Sequence, residues 1–282
     1  MRLLQFPCPG NSFDERRSKC MVYYVNTATF AFILSCSSFI HIGLAEREDQ
    51  GHENNAQLAG QFKLAMACLN GDGLNRDYKK AGKWFEKAAP QGHAISQYNL
   101  GWLYETGAGG IQDFTLAAKW YRAAAQQGIV PAQFSIGRFY HNGLGVPQDY
   151  QKAIHYYTQA AEQGHAMAQN NLGLLYHAGK GVDVDFFQAI KWYNLAADQG
   201  IAEAQNNLGL LFAFGQGIEK DLIKAYAWAL TARSNGVDNR QFIAILNKDI
   251  SRQQLAEAQK IAGKLIAHAA AQNQISINAR SE

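Results

Sequence analysis

Apolar residues between positions 94 and 128 fall into two helical stretches separated by glycines. Leu100, Leu103 and Tyr104 lie at i, i+3 and i+4, the spacing that gathers side chains on one face of an α-helix. TGAGG follows at 106–110, and glycine tolerates the left-handed backbone that closes a helix. Asp113 then stands where an N-cap accepts free backbone N–H groups. Leu116, Ala117, Trp120, Tyr121 and Ala124 supply the apolar face of a second helix, which Gly128 ends. No segment alternates with period two, so no strands are expected.

This helix–turn–helix pattern recurs every 36 residues. Gln61, Gln97, Gln133, Gln169 and Gln205 mark the period, and Asp77, Asp113, Asp149, Asp185 and Asp221 keep it. Gly101, Gly137, Gly173 and Gly209 sit inside the first helix of their units. A G-x-G pair, such as Gly143 and Gly145, follows each first helix, and Trp84, Trp120, Tyr156, Trp192 and Trp228 recur in the second. The octapeptide AQNNLGLL occurs at both 168–175 and 204–211. Such identity reflects one geometry imposed at regular intervals, because a lone hairpin cannot bury its apolar face and stacked neighbours can. Glycine within a helix costs about 1 kcal/mol relative to alanine, so close packing must offset it. Gly101 against Ala117 is the expected close approach, with the Trp120 ring filling the wider gap beside it.

The pattern A-x-A-Q-x-x-L-G-x-x-Y-x-x-G-x-G-V, then D-x-x-x-A-x-x-W-Y-x-x-A-A-x-x-G, resembles the Sel-one-like repeat (SLR), a relative of the tetratricopeptide repeat. It is fullest at 130–164 and 166–200. The end units depart from it: Ala65 and Cys68 replace the glycine and tyrosine of the first unit, and Phe212 and Arg233 replace the tyrosine and second alanine of the fifth. The resemblance implies an all-α, right-handed solenoid of helix-turn-helix repeats. Five repeats span 58–237, and capping helices and a tail fill 238–282. ISRQQLAEAQKIAGKLIAH at 250–268 resembles the helix that closes such arrays.

Composition adds an address. TATFAFILSCSSFIHIGLA at 27–45 is apolar, with Arg16, Arg17 and Lys19 before it and an acidic, polar stretch after it. Residues 1–45 read as a cleaved export signal with Gly43 and Ala45 before the cut. An uncleaved anchor and a mistaken start site are the alternatives. A polar linker at 46–57 follows. Export places the protein in the periplasm or outside a Gram-negative cell; without it the protein is cytoplasmic. The net charge of +3 largely belongs to this leader, since 22 of the 26 basic and 21 of the 23 acidic residues lie beyond position 45. That balance provides no footprint for nucleic acid. Cys8, Cys20 and Cys36 also fall in the leader, so the mature chain keeps Cys68 and no intramolecular disulfide is expected.

Catalytic motifs are missing. HENNA at 52–56 lacks the second histidine of H-E-x-x-H, and no S-x-x-K, G-x-S-x-G or phosphate-loop pattern occurs. His93 and His165 read as inter-repeat turn residues rather than metal ligands, so no metal or cofactor is expected. The resemblance implies one enzymatic alternative, a β-lactamase or cell-wall hydrolase, as described for cysteine-rich SLR proteins. Those carry a cysteine pair in every repeat, which Cys68 alone does not reproduce.

The resemblance otherwise implies a non-catalytic scaffold that binds protein or peptide partners in a concave groove lined by the first helices. Tyr98, Asn99, Trp102 and Glu105 then face the groove in unit two, and Phe134, Arg138 and His141 in unit three. Asn170, Asn171, Leu174 and His177 follow in unit four, and Asn206, Asn207 and Leu210 in unit five. The asparagines at 99, 171 and 207 either grip a peptide backbone or fit the contact between repeats. Tyr98 and Trp102 either anchor a partner or are covered by the preceding unit.

Overall fold

A computed structural model describes residues 56–71 and 75–281. The candidate export segment at 1–45 and the linker as far as residue 55 lie outside the described residues. Among the described residues there are twelve α-helices and no strand. α1 covers 56–70, α2 (Tyr78–Ala88) completes the first hairpin, and a short 3-10 turn at Ala89–Gln91 leads to the second. The second hairpin pairs α3 (Ala94–Thr106) with α4 (Phe114–Gln126), and the third pairs α5 (Val130–Asn142) with α6 (Tyr150–Glu162). α7 (Ala166–Ala178) with α8 (Phe186–Asp198), and α9 (Ala202–Phe214) with α10 (Leu222–Ser234), form the fourth and fifth. Each first helix packs on its partner, and each second helix packs also on the first helix of the next unit, which makes the array a solenoid.

One residue type holds each recurring corner. Asp113 accepts the backbone N–H of Leu116, and Asp149 that of Lys152, as N-caps of α4 and α6. Their own N–H groups donate to Tyr104 and Tyr140 carbonyls, each at 2.9 Å, which fastens the turn to the helix before it. Each aspartate contributes about 1 kcal/mol as a cap. Gly143 closes α5 with φ at 71°, and the next glycine of the pair has a separate task. A Cβ at Gly145 would lie 2.2 Å from the carbonyl carbon and oxygen of Phe114, so this glycine lets the turn press against the start of the preceding unit's second helix.

The packing around the helical glycines differs from the sequence expectation. A Cβ at Gly101, Gly137 or Gly173 would lie 2.7–2.8 Å from Cδ1 of Tyr121, Tyr157 or Tyr193 respectively. The rings that need the missing side chains are therefore these tyrosines, all buried, and the alanine at 117 is not the partner. The neighbouring Trp120 and Tyr156 are only half-buried, while Trp192 is buried. A tyrosine ring extends far enough to lie across the facing helix, and glycine is what leaves it room. In the fifth unit Ala229 stands where the tyrosine would be. Phe242 of α11 (Arg240–Asp249) fills the place instead, 3.2 Å from a Cβ at Gly209. α12 (Arg252–Ser281) then packs along α10 and covers the end of the array.

Buried glutamines join the units. Gln169 donates through Nε2 to the Ala161 carbonyl of the preceding unit at 3.0 Å, and its Oε1 accepts from Gln199 at 2.8 Å. Gln97, Gln133 and Gln205 repeat the arrangement with Gln127, Gln163 and Asn235. One amide thus ties the start of a first helix to the ends of two second helices. It uses both of its functions in doing so.

Candidate partner-binding site

The first helices α3 and α5 hold Gly101 and Gly137 against buried tyrosines, and the side chains a turn away on the same faces lead out to the surface, where Tyr121 itself is reached. Tyr98, Trp102, Phe134 and Arg138 come together there with Glu105 and Met167, around an open cleft of about 550 Å³. Trp102 also packs against Tyr78 of the first unit, with ring centroids 5.7 Å apart, yet stays partly exposed. Tyr98 lies 5.7 Å from Tyr121. Together with Asn99, Tyr98 and Trp102 also line a second cleft, of about 360 Å³, facing Leu69, Arg76 and Tyr78. The two aromatics form a wall between these hollows.

Glu105 organises the polar side of the larger cleft. Its Oε2 accepts from the Tyr121 hydroxyl at 2.6 Å, and its Oε1 is ion-paired with the Arg138 guanidinium of the next unit. Burial and the hydrogen bond to Glu105 push the Tyr121 hydroxyl far above the ordinary phenol range. It therefore stays a donor at every physiological pH. Glu105 is 18% exposed and Arg138 34%, so the carboxylate is spent inside the fold while the guanidinium keeps N–H donors toward solvent. Arginine offers five donors in a fixed plane, and Glu105 fixes the direction of that plane.

The remaining sequence candidates are not brought into this cleft. The Asn99 amide donates to its own helix at Ile95, 2.9 Å away. Asn171 donates to the Tyr157 hydroxyl at 3.2 Å, a contact back to the preceding unit. Burial pushes that hydroxyl up to about 12. The His177 ring lies 3.5 Å from the Tyr193 hydroxyl and edge-on to Phe186. Asn207 is half-buried on α9, and among the described residues its side chain makes no hydrogen bond. Asn206 accepts from Asn239 at 3.1 Å, and Asn170 is buried. Among the residues the sequence reading left out of the cleft are His165, the N-cap of α7, and Met167 in its first turn.

His165 has two roles. Its Nδ1 accepts the Ala168 backbone N–H at 3.2 Å as the N-cap of α7, and its ring stacks on Phe134 at 4.5 Å. His93 caps α3 in the same way, accepting from Ser96 at 3.1 Å. An imidazole that accepts at Nδ1 must carry its proton on Nε2, and burial holds both histidines below the ordinary histidine value. The unfolded chain therefore binds these protons first as pH falls through about 6.5. Stability is fully present above that point and declines as the pH falls below it. Thermal melts across this window are expected to show the fall. His165→Asn, which keeps a cap without a titrating ring, should flatten part of it; an unchanged slope would count against this origin.

Comparison with known proteins places the architecture. A family model described as Sel1 repeat matches five consecutive times, at 58–93, 94–129, 130–165, 166–201 and 202–237. The chain belongs to the Sel1 repeat family. A Sel1 repeat protein from Oxalobacter formigenes is 35% identical over 73% of this chain and 87% of its own, with a TM-score of 0.59. A protective antigen of uropathogenic Escherichia coli with an SLR fold is 24% identical, covering 77% and 71%, with a TM-score of 0.34. Helicobacter pylori cysteine rich protein B is 26% identical over 46% of this chain and 92% of its own, with a TM-score of 0.37. No curated protein sequence matches the chain. Sel1 repeat proteins generally mediate protein–protein interactions, and most are non-catalytic scaffolds. Among the described residues, no cluster of metal-ligating side chains occurs in this Sel1 repeat array, and no helix is long and apolar enough to cross a membrane. Its one described cysteine, Cys68, is buried and unpaired.

Proposed function

We propose that the protein is an exported, non-catalytic scaffold that binds a protein or peptide partner in the cleft between α3 and α5. The observation that carries this reading is the pairing of Tyr98, Trp102 and Phe134 with an Arg138 already held by Glu105. Aromatic side chains supply large contact area at small entropy cost, and tryptophan, tyrosine and arginine are the usual anchors of interfaces. Met167 adds an adaptable apolar wall. The free donors of Arg138 suit an acceptor on the partner, a backbone carbonyl or a carboxylate. Export rests on the apolar stretch 27–45 and its basic flank. Sequencing the N-terminus of the protein recovered from the producing cell tests it, and an intact leader in the cytosol rejects it.

The cleft is tested by combining Trp102→Ala with Arg138→Gln and capturing partners from the native host. Capture is expected to weaken at least about tenfold, since two interface anchors are removed together, while helicity by circular dichroism stays unchanged. Undiminished capture would move the site to another face of the array.

A further inference from the structure

On the side of the array formed by the second helices, one junction breaks the pattern of the others. In the second unit Tyr104 donates its hydroxyl to Glu86 at 3.1 Å. One period later the same two positions hold Tyr140 and Arg122, so the acceptor has become a cation. At the next two periods they hold Tyr176 with Thr158, then Phe212 with Asn194. Arg122 at this junction is unique in the array. Its guanidinium carbon lies 5.7 Å from the Tyr140 ring centroid, and Lys152 Nζ lies 5.3 Å from the same centroid. The ring of Tyr156 stacks parallel to Tyr140, 5.9 Å away and tilted by 3°. Elsewhere this second aromatic is always tryptophan, which offers no hydroxyl.

The polar groups of the cluster are incompletely satisfied. Nε of Arg122 is buried without a hydrogen-bond partner. The hydroxyls of Tyr140 and Tyr156 have no hydrogen-bond partner among the described residues. Lys152 pairs with Asp149 at 3.0 Å, the sole ion pair in the cluster, and feels repulsion from Arg122. A buried donor without an acceptor costs about 1–3 kcal/mol, so the orphaned Nε of Arg122, which has no counterpart at the other junctions, needs a reason.

We infer that Arg122, Lys152, Tyr140 and Tyr156, from α4, α5 and α6, form a binding site for a phosphate-class oxyanion that shares no residue with the α3–α5 cleft. A phosphate matches the donor set better than a carboxylate does. Two cations and two hydroxyls bring more donors than two carboxylate oxygens accept, whereas phosphate presents at least three oxygens in tetrahedral directions. The same chemistry belongs to a free ion and to a phosphoryl group carried on a larger molecule.

Calorimetric titration of the full chain separates these cases, with inorganic phosphate and glycerol 3-phosphate as probes at constant ionic strength set by chloride. Constant salt removes the general attraction of exposed cations for anions. Binding of either probe is expected. Tighter binding of the ester assigns the site to a carried phosphoryl group, and equal binding assigns it to the free ion. Arg122→Gln should weaken affinity about tenfold, the scale of one charge-assisted hydrogen bond. Tyr140→Phe, which keeps the stacking and the fold, should weaken it about threefold, the scale of a neutral one. Heat no greater than that of chloride would overturn the inference. So would an affinity unmoved by both variants, since Nε of Arg122 would then be answered by the Tyr140 π face alone.

Discussion

Gly173→Leu is expected to lower the stability of the array by about 3 kcal/mol, the upper end of what overpacking a core costs. Urea unfolding followed by circular dichroism measures it. A Cβ alone at this position would sit 2.7 Å from both Cδ1 and Cε1 of Tyr193, a ring with no exposed surface. The ring cannot swing away, because buried residues of α8 and α9 pack around it in the same core cluster. Helix propensity acts in the opposite direction and favours leucine over glycine by somewhat less than 1 kcal/mol, too little to offset the clash. The identity of the partner is testable in the same experiment. Tyr193→Ala alone removes a large buried side chain and costs about 3–4 kcal/mol. Combined with Gly173→Leu, it should be at least about 1 kcal/mol more stable than the sum of the two single changes, the coupling expected of residues in contact. The fifth unit is a natural precedent, where Ala229 replaces the tyrosine and Phe242 fills the space beside Gly209. Strict additivity would mean that Ala189 and not Tyr193 faces the glycine.

That distinction marks where the sequence stops being legible. The aspartates and turn glycines could be assigned from their period alone, because each answers one local backbone need: an orphan N–H or a left-handed φ. Trp192 and Tyr193 are adjacent aromatics about 100° apart on one helix, and either could face inward on periodicity. Which one does depends on the reach of its ring across a neighbouring helix, and that is a tertiary quantity. The cleft was legible to the same degree. The repeat frame places Tyr98, Trp102, Phe134 and Arg138 on the outward side, and the structure gathers them around one hollow. The frame also nominated Asn171 and His177, but the hydroxyls of Tyr157 and Tyr193 project far enough to reach them. His165 and Met167 lie beyond a unit boundary, in a segment that reads as turn and first helical turn. Nothing in a single-unit frame connects them to residues a whole repeat earlier.

The glutamines make the same point from the other direction, since their period was plain and their role was not. Gln169→Met, which keeps length and roughly the volume, is expected to cost about 2 kcal/mol through the loss of two hydrogen bonds at a buried site. The Ala161 carbonyl would still hold the Gly164 N–H at 3.0 Å, which keeps the penalty from being larger. Gln199 would keep only a longer contact to Leu195, at 3.4 Å. The more telling expectation concerns cooperativity. Stability in a stacked array is the sum of unit terms and nearest-neighbour interface terms, and Gln169 belongs to the interface between the third and fourth units. Weakening that term while leaving both hairpins intact should let the halves unfold separately, so the urea transition broadens and its m-value falls. Gly173→Leu acts inside one hairpin and should shift the midpoint with less loss of slope. If Gln169→Met moves the midpoint and leaves the slope unchanged, the glutamine ladder stabilises individual hairpins and does not couple them.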